Sequence, residues 1–174
     1  MNGAHLHLIL NHIPVIALPL ALVFFVHSLR KGNESSRRMA LSVLAIAAFS
    51  ALPAFLTGEP AEEVVEHLPG VVESMIHAHE EAGEVAMVLS MITGVLALGG
   101  LFLERLSSGS PGPRLRLSRI AVVASSLMAV AALGITASRG GVIRHTEIRA
   151  AAEAASTPGD APWDVGGDHD HDDD

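Results

Sequence analysis

Four long stretches of the chain contain no Asp, Glu, Lys or Arg. They run over residues 8–29, 39–56, 85–103 and 120–138. A helix needs about 20 mostly apolar residues to cross the hydrocarbon core of a bilayer. Because that core holds no water, each stretch must satisfy its backbone hydrogen bonds within itself, which a helix does and an isolated strand does not. The pattern therefore predicts an all-α fold, an integral membrane four-helix bundle.

The connection between the second and third stretches has a different character. Residues 57–84 contain eight glutamates, three histidines and no basic residue. Pro60 suits the first turn of a helix, so residues 61–67 are expected to form a short external helix that ends at Leu-Pro-Gly. A further helix is expected to begin near Val71 and to continue without a break into the third span.

Composition supports a membrane protein and limits its chemistry. Apolar residues make up 49% of the 174 positions, and the mean hydropathy is +0.42. No Lys or Arg precedes the first apolar stretch, which is also too long for a signal peptide, so we expect this span to be retained. The chain has no cysteine, which excludes disulfides, thiolate metal sites and covalent attachment of a c-type haem.

The basic residues predict the orientation of the spans. Arg30, Lys31, Arg37 and Arg38 lie between spans one and two, and four arginines lie between spans three and four: Arg105, Arg114, Arg116 and Arg119. Since basic loops stay in the cytoplasm, both termini are expected outside, in the periplasm of a bacterium, with the protein in the cytoplasmic membrane. Residues 1–150 would form the transmembrane domain, and residues 151–174, ending in DHDHDDD, a disordered acidic tail.

Histidines gather on the outer side in this orientation. Seven of the ten lie at or above the outer ends of the spans, whereas His27 lies at the inner end: His5, His7, His12, His67, His77, His79 and His145. Histidine near hydrocarbon is costly and indicates a partner, a proton path or a metal. The outer face is therefore the expected functional site.

Four of these histidines are the main candidates. His12 lies within the apolar run and is expected to face inward, as a ligand or as a structural hydrogen-bond partner. His7 is about 140° away around the helix, so the two do not share one face. His79 shares a small-residue face with Gly83, Ala86 and Ser90, whereas His77 lies with glutamates on a solvated face. His145 follows Gly140 and Gly141, which could break span four and fold His145 over the bundle mouth; a surface turn is the alternative.

Four sequence motifs resemble those of a family of small bacterial membrane proteins, the "domain of unknown function" family 2231. They are HLILNHIP at span one, LTGEPAEEVVEHLPG after span two, HEEAGE before span three and GGVIRHTEI after span four. The resemblance implies a four-span protein and points to nine positions: His7, His12, Thr57, Gly58, Glu59, His79, Gly140, Gly141 and His145. Some relatives in that family are joined to cytochrome c-type modules, which implies electron transfer by association.

The leading hypothesis is a membrane b-type haem protein that transfers single electrons at the outer face. Axial imidazoles bind haem iron, and facing helices of a bundle are suitable places for them. The candidate ligands are His7, His12, His79 and His145. Arg139 and Arg144 could pair with an anionic group such as a haem propionate. The expected partners are the lipid bilayer and a periplasmic cytochrome or other redox subunit, with a homo-oligomer also left open.

Two alternatives remain at this stage. The same histidines could bind zinc, copper or iron as a non-haem divalent metal, together with glutamates: Glu59, Glu63, Glu80 and Glu84. The protein could instead be a structural accessory subunit of a membrane complex, with its histidines hydrogen-bonded to glutamates and an interface around Gly94, Ala97 and Leu98 of span three. The glutamates Glu62, Glu66 and Glu73 are expected to be simply solvated.

Other functions are disfavoured. The sequence has no nucleophile motif, phosphate loop or nucleotide fingerprint, so an electron carrier or metal-binding protein is expected rather than a catalyst, and no catalytic residue is assigned. The net charge of −8 disfavours nucleic acid as a partner.

Overall fold

Six helices make up the part of the chain that the structure describes. This computed structural model describes residues 2–31, 33–107 and 112–145. The helices are α1 (Gly3–Lys31), α2 (Glu34–Phe49), α3 (Ala51–Leu56), α4 (Gly58–Val65), α5 (Glu73–Leu106) and α6 (Pro113–Arg144). No strand occurs within these ranges. The expected tail at 151–174 lies outside the described residues.

Local sequence explains several helix boundaries. Asn33 caps α2, because its side-chain oxygen accepts a hydrogen bond from the Ser36 amide at 3.1 Å. Pro113 occupies the first position of α6, where its missing N–H costs nothing. Gly70 has a φ of +81° and reverses the chain between α4 and α5, a conformation that other residues rarely adopt.

Four helical segments are long and apolar enough to cross a membrane. They are Gly3–Arg30, Glu34–Leu56, which joins α2 and α3, Glu73–Leu106 and Pro113–Arg144. Each contains one of the four apolar stretches read from the sequence. Large apolar side chains remain exposed along them; Leu20, Val23 and Ile46 are 64%, 67% and 72% exposed. Such surfaces are expected of helices that contact lipid rather than water.

The long helices pack in a closed ring. α1 contacts α2 and α6, and α5 contacts α2 and α6, with the most extensive interface between α5 and α6. α1 and α5 therefore lie diagonally opposite each other. α4 folds back on the start of α1, where a side chain added at Gly3 would lie 2.1 Å from the Pro60 carbonyl oxygen. Leu18, Phe25, Leu44 and Val122 fill the centre of the ring with none of their surface exposed.

The described helices depart from the sequence expectations at two places. The short helix after span two is Gly58–Val65, three residues earlier than predicted at its start, because the backbone continues in helical geometry from Thr57. The predicted break at Gly140 and Gly141 does not occur. α6 continues to Arg144, since the glycines keep ordinary helical geometry and Gly140 packs against α5.

Candidate functional site

His7 lies near the start of α1, on the face of this helix that points into the ring. Pro14, Leu18 and Ala21 lie 7, 11 and 14 positions further along α1 and are buried. By helical periodicity, His7 lies on the same face of α1 as these residues. Its Nδ1 lies 3.0 Å from the Ala54 carbonyl oxygen and 3.2 Å from Thr57 Oγ1. Because a carbonyl oxygen can only accept, Nδ1 of His7 carries the proton and donates it. In a neutral ring, Nε2 then keeps its lone pair.

His79 is held in the same way from the opposite side. Its Nδ1 lies 3.0 Å from the carbonyl oxygen of Thr136 on α6, so Nδ1 again donates and Nε2 keeps its lone pair. Gly140 permits this position: a side chain there would lie 2.9 Å from Cε1 of His79. The prediction that His79 shares a buried face with Ala86 and Ser90 is confirmed.

The imidazoles of His7 and His79 meet across the diagonal of the ring of helices. The centroids of the two imidazoles are 6.4 Å apart, and the imidazole planes are at 89° to each other. Two imidazoles that bind one metal ion from opposite sides, with bonds of about 2 Å, have centroids about 6 Å apart. Ligand histidines also commonly donate their other N–H to a backbone carbonyl, as both rings do here. The two imidazoles are therefore the residues of this site that could hold one metal ion together.

Within residues 2–31, 33–107 and 112–145, no further potential metal ligands lie together with His7 and His79. These ranges contain no group of three or more His, Asp or Glu side chains that could hold a metal ion. The predicted combination of histidines with Glu59, Glu63, Glu80 and Glu84 is not brought together. All four glutamates are exposed, two on α4 and two on α5.

His12 does not face inward, contrary to the sequence expectation. It is exposed on the outer surface of α1, and its Nδ1 donates to the Leu8 carbonyl of its own helix. The physical reason is helical phase: five residues turn the side chain about 140° away, so His7 and His12 cannot both reach the interior. His5 is likewise exposed.

The chain break that was expected to bring His145 back over His12 and His79 does not occur. His145 follows the end of α6 and is exposed, because the helix runs straight through the glycine pair. The arginines expected to bind an anionic group are also exposed. Arg139 instead donates to the Ala78 carbonyl oxygen at 2.7 Å, which links α6 to the start of α5.

Glutamates of α4 and of the start of α5 form an acidic surface. Glu62 of this surface is half-buried, and its carboxyl group is placed to share a hydrogen bond with Glu80. This bond, with desolvation and the nearby carboxylates, raises the pKa of Glu62 to about 7, while His77 opposes the shift. A cavity of about 360 Å³ next to it is lined by Glu62, Glu66, His67, Glu73 and Ile76.

The end of the ring opposite His7 and His79 holds a second polar cluster that sequence reasoning missed. Glu104 of α5 is 2% exposed and accepts hydrogen bonds from Arg37 at 3.2 Å and from Arg119 at 2.7 Å and 2.8 Å. The signal was an acidic residue that directly follows a long apolar run, in LFLERL. The carbonyls of Ala54 and Thr136 that bind the two histidines were also missed, since backbone carbonyls carry no sequence signature. Thr57, whose hydroxyl contacts His7, was among the positions that the family resemblance implied.

Comparison with known proteins assigns no function to this site. No protein-family model, no curated protein and no solved structure matches the chain. The candidate site therefore rests on the pair His7 and His79, and on the backbone carbonyls and glycines that hold the two rings.

Proposed function

We propose that this protein is a membrane-embedded b-type haem protein that transfers electrons at the outer face, with His7 and His79 as the axial ligands. The observation that carries the proposal is the pair of imidazoles facing each other at 6.4 Å, each with Nδ1 bound to a carbonyl. Two protein ligands suffice for haem because the porphyrin supplies the other four. A zinc site would need at least one more protein ligand.

The surrounding residues would position and tune the two ligands. The carbonyls of Ala54 and Thr136 fix the tautomer and orientation of each ring and raise its basicity. The hydroxyl of Thr57 donates to the Ala54 carbonyl at 2.8 Å and accepts from His7, which fixes that carbonyl in turn. A haem bound here would supply one reversible electron, with a potential set by its ligands and their burial.

The architecture belongs to the same proposal. The ring of long helices would be a four-helix bundle in the bacterial cytoplasmic membrane, with α4 as its external helix. The basic residues at one end would lie in the cytoplasm, and His7 and His79 would lie at the periplasmic mouth. This position would suit exchange with a periplasmic redox partner. The motifs around His7, Thr57, His79 and Gly140 are those that support membership of family 2231.

The experiment is a haem spectrum of ligand variants in purified protein, oxidised and reduced. His7→Ala and His79→Ala should each remove the low-spin haem spectrum while the protein still inserts, because insertion depends on span hydrophobicity. His12→Ala and His27→Ala are matched controls and should keep a full complement of haem. His12 is exposed, and His27 lies about 30 Å from His7 along α1.

A substitution at Gly140 tests the position of the His79 imidazole without removing that imidazole. Gly140→Ala should displace the His79 ring and shift or abolish the spectrum, because the new Cβ would lie 2.9 Å from Cε1. Gly134→Ala is the control on the same helix, since nothing lies within 4 Å of its Cβ. Haem retained at wild-type level in both His7→Ala and His79→Ala, or absent from the wild-type protein supplied with haem, would refute the proposal.

A further inference from the structure

The cluster of Glu104, Arg37 and Arg119 carries more positive than negative charge. Two guanidinium groups share one carboxylate, and neither arginine pairs with a second acidic side chain in the part of the chain that the structure describes. The cluster therefore holds one uncompensated positive charge. Glu104 is buried and both arginines are largely buried, so this charge is mostly removed from water. A charge in such a place is costly unless an opposite charge pairs with it.

The arginines of this end also keep hydrogen-bond donors that no described residue accepts. Arg37 donates to the Glu104 carboxylate through Nε alone, at 3.2 Å and 3.4 Å, which leaves both of its Nη groups. Arg119 donates through Nε and Nη2 and keeps Nη1. Arg38 donates through Nη2 to Glu34 and to the Glu104 carbonyl oxygen, while its buried Nε has no partner. All three arginines thus contact Glu104 and retain N–H groups suited to the oxygens of an anion.

The three arginines lie where apolar spans end. Arg38 directly precedes the second apolar stretch, Arg119 directly precedes the fourth, and Glu104 directly follows the third. In a bilayer, such positions lie at the level of the lipid headgroups, and basic pockets between helices at that level bind anionic headgroups. Met39 and Ile120, the next residues towards the hydrocarbon, are exposed and would contact acyl chains.

We propose that Arg37, Arg38 and Arg119 together bind one phosphate group, carried by a phospholipid or by a soluble phosphate compound. The phosphate would neutralise the uncompensated charge, and its oxygens would accept hydrogen bonds from the unused N–H groups of the three arginines. The exposed apolar side chains beside the arginines favour the phospholipid. The phosphate site lies at the end of the ring opposite His7 and His79 and does not depend on a bound haem.

Native mass spectrometry of the full chain in mild detergent measures this binding. The protein is titrated separately with dioctanoyl phosphatidylglycerol, with inorganic phosphate and with dioctanoylglycerol, which has the acyl chains but no phosphate. We expect one phosphatidylglycerol to be retained per chain at concentrations at which dioctanoylglycerol is not retained. Weaker retention of inorganic phosphate would support a lipid as the ligand, and equally tight retention would support a soluble phosphate compound.

Substitutions assign the binding to these arginines. Arg37→Lys keeps a positive charge beside Glu104 but loses the planar fork. Arg38→Gln leaves both arginine pairs of Glu104 intact, so it tests binding even where Arg37→Lys affects folding. Each variant should weaken the retention of phosphatidylglycerol about tenfold, the contribution of one charge-assisted hydrogen bond. Arg114→Gln and Arg116→Gln are matched controls on exposed arginines of the same end and should bind as the wild type does.

Three results would overturn the proposal. The first is a folded wild-type protein that retains neither phosphatidylglycerol nor inorganic phosphate. The second is dioctanoylglycerol retained as tightly as phosphatidylglycerol, which would mean that only the acyl chains are bound. The third is an equal loss of binding in Arg38→Gln and in the control variants Arg114→Gln and Arg116→Gln, which would mean a diffuse attraction to all the arginines of this end.

Discussion

His7 and His12, five residues apart on α1, show how the position of a side chain around a helix decides its role. His7 and His12 belong to the same motif, yet His7 is held against Ala54 and Thr57 inside the ring, while His12 is exposed on the surface. The difference is angular, about 140° around α1. A histidine side chain is held in the interior only where other helices supply hydrogen-bond partners for it.

Glu104 is the residue whose charge should matter most for stability. In Glu104→Gln, Arg37 and Arg119 would remain largely buried without an ionised partner. We expect a loss of about 2–3 kcal/mol in the free energy of unfolding, less than for a fully buried pair because the arginine side chains are 12% and 18% exposed. Unfolding of the purified protein in mixed micelles by denaturing detergent measures this loss.

Glu34 provides the matched control for that measurement. It pairs with Arg38 within one helix, and its side chain is 50% exposed. Glu34→Gln should change stability by less than about 1 kcal/mol. Equal effects of the two variants would mean that the cluster of Glu104, Arg37 and Arg119 contributes no more to stability than an ordinary surface ion pair.

At the level of elements, close contact between helices depends on glycines at particular positions. Gly94 of α5 faces the ring of Phe49 at the end of α2, and Gly100 faces Ser118 of α6. Gly99, between them in sequence, faces open space. The three glycines look alike in the sequence, and only the packing of α2 and α6 against α5 distinguishes them.

Gly94→Ala should therefore destabilise the protein by about 1–3 kcal/mol, since its Cβ would lie 2.9 Å from Cζ of Phe49 and the ring would have to move. Gly99→Ala, with nothing within 4 Å, should leave stability unchanged or raise it by up to about 1 kcal/mol through its better helix propensity. Detergent titration of both variants compares them directly. A larger loss for Gly99→Ala would contradict the packing of α5 described above.

For the whole molecule, the two ends of the ring differ in charge and chemistry. The end with Glu104 carries Arg37, Arg38 and Arg119, whereas the other end carries His7, His79 and the acidic surface of α4 and α5. A membrane protein with this asymmetry should insert in one orientation, with its arginines in the cytoplasm.

Reporter fusions test that orientation. A reporter after Asp174 should be active outside the cytoplasm, and one inserted between residues 107 and 113 should be active inside, because the basic residues flanking spans two to four resist translocation. Replacing Arg114 and Arg116 with Gln should weaken this preference. The opposite pattern in the unaltered protein would place His7 and His79 at the cytoplasmic face and refute a periplasmic redox role.

The sequence by itself determined the four long apolar helices and some of their ends. Apolar stretches of about 20 residues, the polar link at 57–84 and the Asn33 and Pro113 caps depend on local composition, which acts through helix propensity and the cost of exposing backbone to lipid. The inward position of His79 could also be read from its small-residue face, because helical periodicity is a local property.

Only the tertiary structure decided which residues meet. His7 rather than His12 faces His79 because α1 and α5 lie diagonally across the ring, with Thr57 and Thr136 brought in by other helices. The pairings of Glu62 with Glu80 and of Glu104 with Arg37 and Arg119 join segments far apart in the chain. Such contacts depend on the rotation and depth of each helix relative to its neighbours, which hydrophobic pattern and residue spacing leave undetermined.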